Sequence, residues 1–526
     1  MTDQPEKVVI IGAGPAGLTA GYKLLQSGFS CEVVILEESD TVGGISRTVR
    51  HNGNRMDIGG HRFFSKDADV NAMWNELLPR QGKPSYDDLK LDRQVSLMPE
   101  GPDPEECDKV MLARNRVSRI YYRKRFFDYP VKMNFNTICN MGLWTTFLSG
   151  MSYLASLFRK LPESSLENFY INRFGRRLYS MFFEGYTEKL WGRHPSVISA
   201  DWGAQRVKGL SVIAVLKDIC SKLVPAGLRK KRKVETSLIE EFSYPKYGPG
   251  QLWETVAEEF EKMGGKIVYN CRVEKLKLEN GNITEVVCSR NGAAEIVPCD
   301  KVISSMPVRD LVAGFEPAAP SPVADIAAGL PYRDFVTVGL LTSKINLENK
   351  TKLKTLNNIV PDCWIYVQDT GVKLGRIQIF NNWSPYLVKD PENTVWIGLE
   401  YFCDEGDDFW KCSAEQLRDT GVAELIAMGV LDADEKILDY HVEKVKKAYP
   451  AYFDTYAQID ELIKYLGTID NLYCIGRNGQ HRYNNMDHSM VTAFETVKHI
   501  LAGGKGDKSA VWNVNTEKEY HEEKQQ

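Results

Sequence analysis

A strand–turn–helix–strand unit near the N-terminus constrains this chain more than any other feature. Residues 8–11 (VVII) form an uninterrupted apolar run, as buried parallel strands do. The glycine-rich turn GAGPAG at 12–17 follows, and a second apolar run occupies 33–36. A lone turn of this type arises often by chance, but here the strand, turn, helix, second strand and a following acidic residue occur in order. The unit therefore predicts a dinucleotide-binding βαβ fold.

Each position of this unit has a separate task. Gly12 permits the tight turn, Gly14 lets the backbone approach a pyrophosphate, and Gly17 packs the helix against the strand. The helix N-terminus, where Ala16 lies, offers free N–H groups and a positive dipole end to the phosphates. Glu37 ends the second strand, where a carboxylate can accept hydrogen bonds from ribose hydroxyls.

A second glycine turn decides between the common dinucleotides. Gly43 and Gly44 allow close backbone approach, and Arg47 offers a forked donor to a phosphate. This pattern resembles the second phosphate-contact loop of glutathione-reductase-type FAD proteins. We therefore expect non-covalently bound FAD, with Glu38 among its contacts; the alternative is a surface turn with a solvated arginine.

Further blocks spread over nearly the whole chain carry a resemblance to a known family. They are DIGGHRFFS at 57–65, the aromatic-Pro segment at 119–137, FEGYTEKLWGR at 183–193, KIVYNCRV at 266–273, NLYCIGR at 471–477 and RYNNMDH at 482–488. Their order and spacing resemble the UDP-galactopyranose mutase branch of the FAD-dependent amine-oxidase and protoporphyrinogen-oxidase superfamily.

The resemblance implies where the flavin lies. Gly60 and His61 would lie against the flavin, and the backbone of Val273 would meet the adenine. The C-terminal positions Gly476, Arg477, Asn485 and Met486 would lie beside the flavin ring and the pyrophosphate.

The resemblance also implies a substrate site. Trp191 would stack on a base, Tyr483 would donate to a phosphate, and Arg206 and Arg376 would hold the diphosphate. The alternatives are core packing for the two aromatic residues and structural salt bridges for the two arginines. The residues expected to act in catalysis are His61, Arg206, Arg376 and Asn485. Two positions depart from the mutases, which usually carry an aspartate where Asn485 stands and an aromatic residue where His481 stands.

The implied reaction interconverts pyranose and furanose forms of a UDP-sugar through an adduct between the sugar and N5 of reduced FAD. No second complete glycine fingerprint is present, so reducing equivalents would come from NAD(P)H docking transiently or from another donor. The rival function is an FAD-dependent oxidoreductase that removes hydride from an amine, a porphyrinogen or an isoprenoid lipid.

Composition excludes several other classes. The net charge of −4 leaves no basic excess for nucleic-acid binding. The eleven cysteines are scattered, without a CxxC pair or a cluster with histidine, so we expect no metal site. Free cysteines and the lack of a signal segment favour a cytoplasmic protein acting on a small molecule. The oligomeric state stays open.

One uncharged stretch, 133–158, approaches the length that spans a bilayer. Because it is rich in Ser, Thr, Asn and Gly, we expect a buried helical segment and no stable membrane insertion. Membrane contact is the alternative.

The expected fold class is α/β: a glutathione-reductase-type, FAD-binding Rossmann domain with a helical insertion and a mixed or antiparallel sheet for the substrate. The FAD domain is predicted from 1–105, 236–325 and 445–505, a helical substrate domain from 106–235, a strand-rich substrate domain from 326–444, and a loosely ordered polar tail from 506–526.

Overall fold

The computed structural model describes residues 5–129, 131, 135–200 and 241–515. Its nucleotide-binding part is built on a parallel sheet, five-stranded within the described ranges. In spatial order the strands are Leu472–Cys474, Lys301–Ser304, Glu6–Ile11, Cys31–Leu36 and Lys266–Val268. Residues 8–11 of the central strand are buried, because both faces of the sheet are covered there. The predicted α/β fold class is confirmed.

Helices cover one face of this sheet. They are Pro15–Gln26, Ala68–Leu77, Gly250–Lys262 and Met486–Leu501, and their buried residues form one core cluster with the sheet. The opposite face packs on Val308–Ala313, Ser321–Ala328, Ile459–Leu466 and a smaller sheet of Ala293–Pro298, Asn282–Arg290, Cys271–Glu279 and Phe315–Glu316.

A second large sheet, which we call the site sheet, lies under the predicted substrate region. The described residues give it seven strands, in the order Ile437–Pro450, Tyr332–Thr342, Val395–Cys403, Arg376–Ile379, Trp364–Val367, Ser118–Tyr122 and Arg125–Asp128. Its pairs are antiparallel except for Trp364–Val367 with Ser118–Tyr122, so the sheet is mixed. The helix Ala414–Met428 packs on one face of it.

The described part of 106–235 contains a helical layer. Its helices are Phe135–Met141, Leu143–Phe158, Leu166–Tyr179 and Gly185–Trp191, with a π-helical turn at Ser180–Glu184. Two-stranded ribbons complete the framework: Thr48–His51 with Asn54–Asp57, and Met111–Asn115 with Glu241–Pro245. The shorter helices are Tyr86–Lys90, Phe380–Trp383, Asp408–Lys411, Gly476–Gly479 and Ser509–Trp512.

Three expectations about organisation need correction. The stretch 106–235, expected to be a mostly helical insertion, also supplies Ser118–Tyr122 and Arg125–Asp128 to the site sheet. The boundary expected between 444 and 445 falls inside the strand Ile437–Pro450. The described part of the tail is packed rather than loose: Val511 is buried, and its carbonyl accepts a hydrogen bond from Gln480 Nε2 at 2.7 Å. A helix-like pattern at 210–223 lies outside the described residues.

The expectation that 133–158 is buried is also wrong for its second half. In the helix Leu143–Phe158 the buried side chains are Ser149, Tyr153 and Ser156, and the large apolar residues are exposed. Among the described residues, no helix combines the length and the apolar character needed to cross a bilayer.

Candidate active site

The first glycine turn has the geometry that a pyrophosphate requires. Gly12 has φ +96°, and its N–H donates to the carbonyl of Leu36 at 2.8 Å. A Cβ at Gly17 would lie 1.9 Å from the Gly12 carbonyl oxygen, so this position must be glycine for the helix to approach the strand. Gly14 precedes the helix Pro15–Gln26 as its N-cap. Because Pro15 has no N–H, the free N–H groups of that helix begin at Ala16.

The second glycine turn lies against the first. Gly43 and Gly44 both have left-handed backbone, with φ +96° and +53°. The Gly43 N–H donates to the Ala13 carbonyl at 2.9 Å. A Cβ at Gly14 would have the Gly44 Cα as its nearest neighbour, at 3.9 Å. Two glycines, Gly14 and Gly44, thus face each other, which fits a group that needs close backbone contact from both sides.

Glu37, the residue expected to bind the ribose, is held in place by two backbone N–H groups. Glu37 Oε2 accepts from the Ala13 N–H at 2.7 Å, and Oε1 accepts from the Ser39 N–H at 3.0 Å. The carboxylate is therefore fixed beside the first turn. Glu38 is exposed, and its Oε1 lies 3.7 Å from Arg272 Nε. The strand that contains Val273 begins at Cys271, whose N–H donates to the Glu37 carbonyl at 2.8 Å.

Arg47 is held by protein partners in this structure. Its Nη1 donates to the Gly44 carbonyl at 3.2 Å, and its Nη2 lies 3.3 Å from Glu443 Oε2. Glu443 comes from the edge strand of the site sheet, so it links the second turn to that sheet. A phosphate contact would have to use the remaining guanidinium donors.

The C-terminal segment, which the resemblance placed beside the flavin, packs against the helix that follows the first turn. Gly476 has φ +73°, and a Cβ there would lie 2.8 Å from the Ala16 Cβ. The helix Met486–Leu501 then packs along Pro15–Gln26, with Met486 in the shared core. Asn485 is the exposed N-cap residue of this helix, and its N–H donates to His488 Nδ1 at 3.3 Å.

His61 lies near two arginines and carries no charge at neutral pH. Burial and the positive charge of Arg477 lower the pKa of His61 to about 4. The hydrogen bond to the Gly59 carbonyl raises the pKa in part, and the charge of Arg376 lowers it slightly further. Nδ1 donates to that carbonyl at 3.1 Å, which leaves Nε2 as an acceptor. Gly60 is needed for packing, because a Cβ there would lie 2.4 Å from the Trp364 ring.

Arg477 offers donors that no described residue uses. Its guanidinium lies 4.0 Å from the Tyr483 ring centroid and 5.2 Å from that of Tyr449, and Nη1 donates to the Asn484 carbonyl at 3.5 Å. Nε and Nη2 are buried, without a hydrogen-bond partner in the described part of the chain. Buried donors without partners are costly, so these two atoms fit the oxygen-bearing edge of a bound flavin or substrate.

Arg376 lies on the site sheet in a network of polar groups. Its Nη2 contacts Glu400 Oε2 at 2.6 Å and donates to the Tyr449 hydroxyl at 2.5 Å, and Gln378 Nε2 donates to Glu400 Oε1 at 2.9 Å. Burial lowers the pKa of Arg376, but the charge of Glu400, with smaller contributions from Tyr449, Tyr186 and Tyr366, holds the pKa above its ordinary range. Nε is buried with no hydrogen-bond partner among the residues described.

Aromatic side chains surround this arginine. The ring of Tyr366 stacks on Tyr129 at 4.3 Å between centroids and meets Tyr186 edge-on at 5.7 Å. Phe402 lies 5.2 Å from the Arg376 guanidinium. Burial raises the pKa of Tyr186 and Tyr366, so both hydroxyls keep their protons. The site is therefore cationic, rich in hydroxyl groups and walled by aromatic rings.

The structure brings together only part of the predicted substrate set. Arg376 and Tyr483 border the same region, whereas Arg206 lies outside the described residues. Trp191 is only 2% exposed and meets Phe453 edge-on in the core of the helical layer. A base could stack on Trp191 only if its neighbours moved, so base stacking stays a prediction that this position does not support. His481 is core as well, with Nε2 bonded to the Ala451 carbonyl at 3.0 Å.

Sequence reasoning missed Glu400, Gln378, Tyr449 and the two tyrosines Tyr186 and Tyr366. A signal was present for Glu400, because a carboxylate inside the apolar strand VWIGLEYFC needs a buried cationic partner. The tyrosines gave no comparable signal, since most aromatic residues in a chain of this size pack in cores.

Comparison with a protein-family model agrees with this geometry. The family described as flavin containing amine oxidoreductase matches residues 15–419. The chain belongs to this family. Its membership implies FAD as the cofactor, which the glycine turns and the buried donors of Arg477 fit.

Two curated proteins with related sequences are oxidases. Coproporphyrinogen III oxidase of Mycobacterium tuberculosis is 32% identical over 74 residues, which cover 14% of this chain and 16% of that protein. L-amino-acid oxidase of Crotalus adamanteus is 43% identical over 131 residues, covering 25% and 22%. The chain thus matches less than a quarter of the length of these curated relatives.

Solved structures match over nearly the whole chain. Reduced UDP-galactopyranose mutase is 22% identical, with a TM-score of 0.74 over 98% of this chain and 100% of that one. Putrescine oxidase bound to putrescine is 15% identical, with a TM-score of 0.56 over 94% and 99%. At these identities the comparison establishes the fold and leaves the reaction open.

Proposed function

We propose that this chain is an FAD-dependent mutase that interconverts the pyranose and furanose forms of a UDP-sugar. One observation carries the proposal. Three buried guanidinium nitrogens, Arg376 Nε together with Nε and Nη2 of Arg477, have no hydrogen-bond partner among the described residues. Such donors require acceptors, and a flavin and a diphosphate sugar are rich in acceptor oxygens.

The electrostatics support an anionic substrate. Glu400 balances the charge of Arg376, whereas the described residues give Arg477 no carboxylate within ion-pair distance. His61 adds no charge at neutral pH, so the site keeps a positive balance. An amine substrate would arrive as a cation and would bring mainly donors, which satisfies neither the charge nor the buried N–H groups.

The chain's residues would hold and orient the reactants. Gly14 and Gly44 would face the pyrophosphate of FAD, and His61 Nε2 would accept a hydrogen bond near the ring. When bound and reduced, FAD would supply the nucleophile that the redox-neutral isomerisation needs. The tyrosine hydroxyls around Arg376 would donate to sugar and phosphate oxygens, and Arg376, fixed by Glu400 and Tyr449, would hold the diphosphate in one orientation.

A second candidate is an FAD-dependent oxidase. The match to the amine oxidoreductase family and the similarity to coproporphyrinogen III oxidase and L-amino-acid oxidase favour it. A porphyrinogen carries carboxylates that would accept hydrogen bonds from the two arginines, and the aromatic walls would suit its rings. An amine or an isoprenoid lipid is a poorer fit to the cationic site.

The two functions separate in one experiment. Protein reduced with dithionite is incubated anaerobically with UDP-galactopyranose and other UDP-sugars, and the products are resolved by chromatography. We expect a furanose isomer, with no net change in flavin oxidation state. Absence of any furanose product, together with flavin reduction when oxidised protein meets a porphyrinogen or an amine, would replace the mutase with the oxidase. Arg376→Lys, which keeps the charge but removes Nε, should lower furanose formation at unchanged flavin content.

A further inference from the structure

The helix Leu143–Phe158 turns its apolar side outward. Its exposed stripe consists of Leu143, Trp144, Phe147, Met151, Leu154 and Phe158, with side chains 80%, 71%, 58%, 52%, 45% and 91% exposed. We call these six residues the apolar ridge. They recur at intervals that place them on one side of a helix, so the ridge runs along its whole length.

The opposite side fixes the helix to the protein through small and polar residues. Ser149 and Ser156 are buried there, and Ser152 Oγ accepts from the Arg177 N–H at 3.1 Å. At Gly175 a Cβ would lie 2.7 Å from the Tyr153 nitrogen, so the neighbouring helix Leu166–Tyr179 touches this backbone directly. Rotating the helix to bury the ridge would break this close packing, because larger side chains do not fit there. The outward orientation is therefore built into the fold.

The charges that follow the ridge directly along the chain are cationic. No charged residue occurs from 136 to 158, and Arg159 and Lys160 follow the helix immediately. Arg176 and Arg177 are exposed on the adjoining helix. Two acidic residues lie nearby: Glu163 contacts Arg173 at 2.8 Å, and Glu167 lies 3.6 Å from Arg176. Among the described residues, Arg159, Lys160 and Arg177 have no carboxylate within ion-pair distance. A surface that joins apolar and aromatic side chains to basic flanks complements an anionic lipid bilayer.

The length of the helix defines how it would meet a bilayer. Sixteen residues extend about 24 Å, which is short of the roughly 30 Å of the hydrocarbon core. A helix that is fixed along one side cannot insert end-on. The ridge is most exposed at its two ends, Leu143 and Phe158, so a helix lying flat would contact a bilayer along its whole length.

We infer that the apolar ridge is a membrane-docking surface that lies flat in the interfacial layer of a bilayer containing anionic phospholipid. Trp144 and Phe147, whose rings stack 5.8 Å apart, would sit at the headgroup level. The basic residues that flank the ridge would contact lipid phosphates. The chain would then be a peripheral membrane protein, whichever reaction its site performs.

The test uses purified full-length protein with bound FAD and vesicle flotation. Vesicles of phosphatidylcholine alone are compared with vesicles that also contain phosphatidylglycerol. We expect the protein to float with the anionic vesicles, and to float less in high salt. The double variant Phe147→Glu, Leu154→Glu should reduce the partition coefficient by at least about tenfold. Ile296→Glu places one such carboxylate at an exposed apolar position in a strand of the smaller sheet and should bind as the parent does.

Other occupants of the ridge give different results. If the parent is a dimer that the double variant converts to monomer, and neither binds vesicles, a second copy covers the ridge and the inference is wrong. It is also wrong if the parent fails to float with anionic vesicles, or if the double variant floats equally well. Amide hydrogen exchange decides without any variant: exchange across 143–158 must slow when anionic vesicles are added, and unchanged exchange in a protein that floats would place the contact elsewhere.

Discussion

Replacing Gly14 by alanine tests whether the first glycine turn makes room for a phosphate or only for the protein. Gly14 has φ −79° and ψ −176°, a backbone that alanine adopts without strain. The added Cβ would meet no protein atom closer than 3.9 Å. The folded apoprotein should therefore tolerate Gly14→Ala, with a change in unfolding free energy within about 0.5 kcal/mol.

The cofactor should not tolerate it. The Cβ projects into the space between the turns of Gly14 and Gly44, where we expect the pyrophosphate. Displacing a phosphate from one backbone N–H loses a charge-assisted hydrogen bond that contributes about 1.5–3 kcal/mol. That loss weakens FAD binding by roughly tenfold to 150-fold.

The assay is fluorescence titration of the apoprotein with FAD, run beside denaturant unfolding of the same apoprotein. Gly17→Ala is the contrasting variant, because its Cβ would lie 1.9 Å from the Gly12 carbonyl oxygen and should cost about 1–3 kcal/mol of stability even without FAD. Gly150→Ala, which enters open space in a helix, should leave FAD affinity unchanged. Parental FAD affinity in Gly14→Ala, or a stability loss equal to that of Gly17→Ala, would refute the reasoning.

Three further predictions concern the site. Glu400→Gln leaves the Arg376 charge buried without its partner and should lower the free energy of unfolding by about 3–5 kcal/mol. Glu348→Gln, in an exposed pair, should change it by less than about 1 kcal/mol. Equal losses in denaturant titrations would contradict this prediction. The pKa of His61 is lowered from 6.5 to about 4, so the unfolded state takes up a proton first as pH falls. The free energy of unfolding should therefore decline between pH 6.5 and 4, by up to about 3 kcal/mol from this group. His61→Gln should flatten that decline, and an unchanged profile would show that His61 titrates normally. Trp191→Phe should lower stability by about 0.5–3 kcal/mol and leave the substrate KM unchanged, whereas a raised KM at unchanged stability would support base stacking instead.

The sequence was sufficient wherever structure follows from neighbours along the chain. The turn of Gly12, Gly14 and Gly17 is local, since strand, turn and helix are consecutive along the chain and each glycine is required by the backbone of residues close to it in sequence. The same holds for Gly43 and Gly44, whose left-handed φ angles only glycine adopts easily. These turns determined the fold class, and with the family model they imply the cofactor.

Tertiary structure decided what depends on the register and packing of distant segments. Arg376 faces Glu400 because antiparallel strands pair these two residues, and Tyr449 reaches them from an edge strand of the site sheet. The apolar stretch ending at Phe158 predicted burial, yet its small polar side was buried instead, because the close approach at Gly175 excludes larger side chains. Hydrophobic pattern determines which side of a helix is apolar, whereas the shape of the surface that it packs against determines which side turns inward.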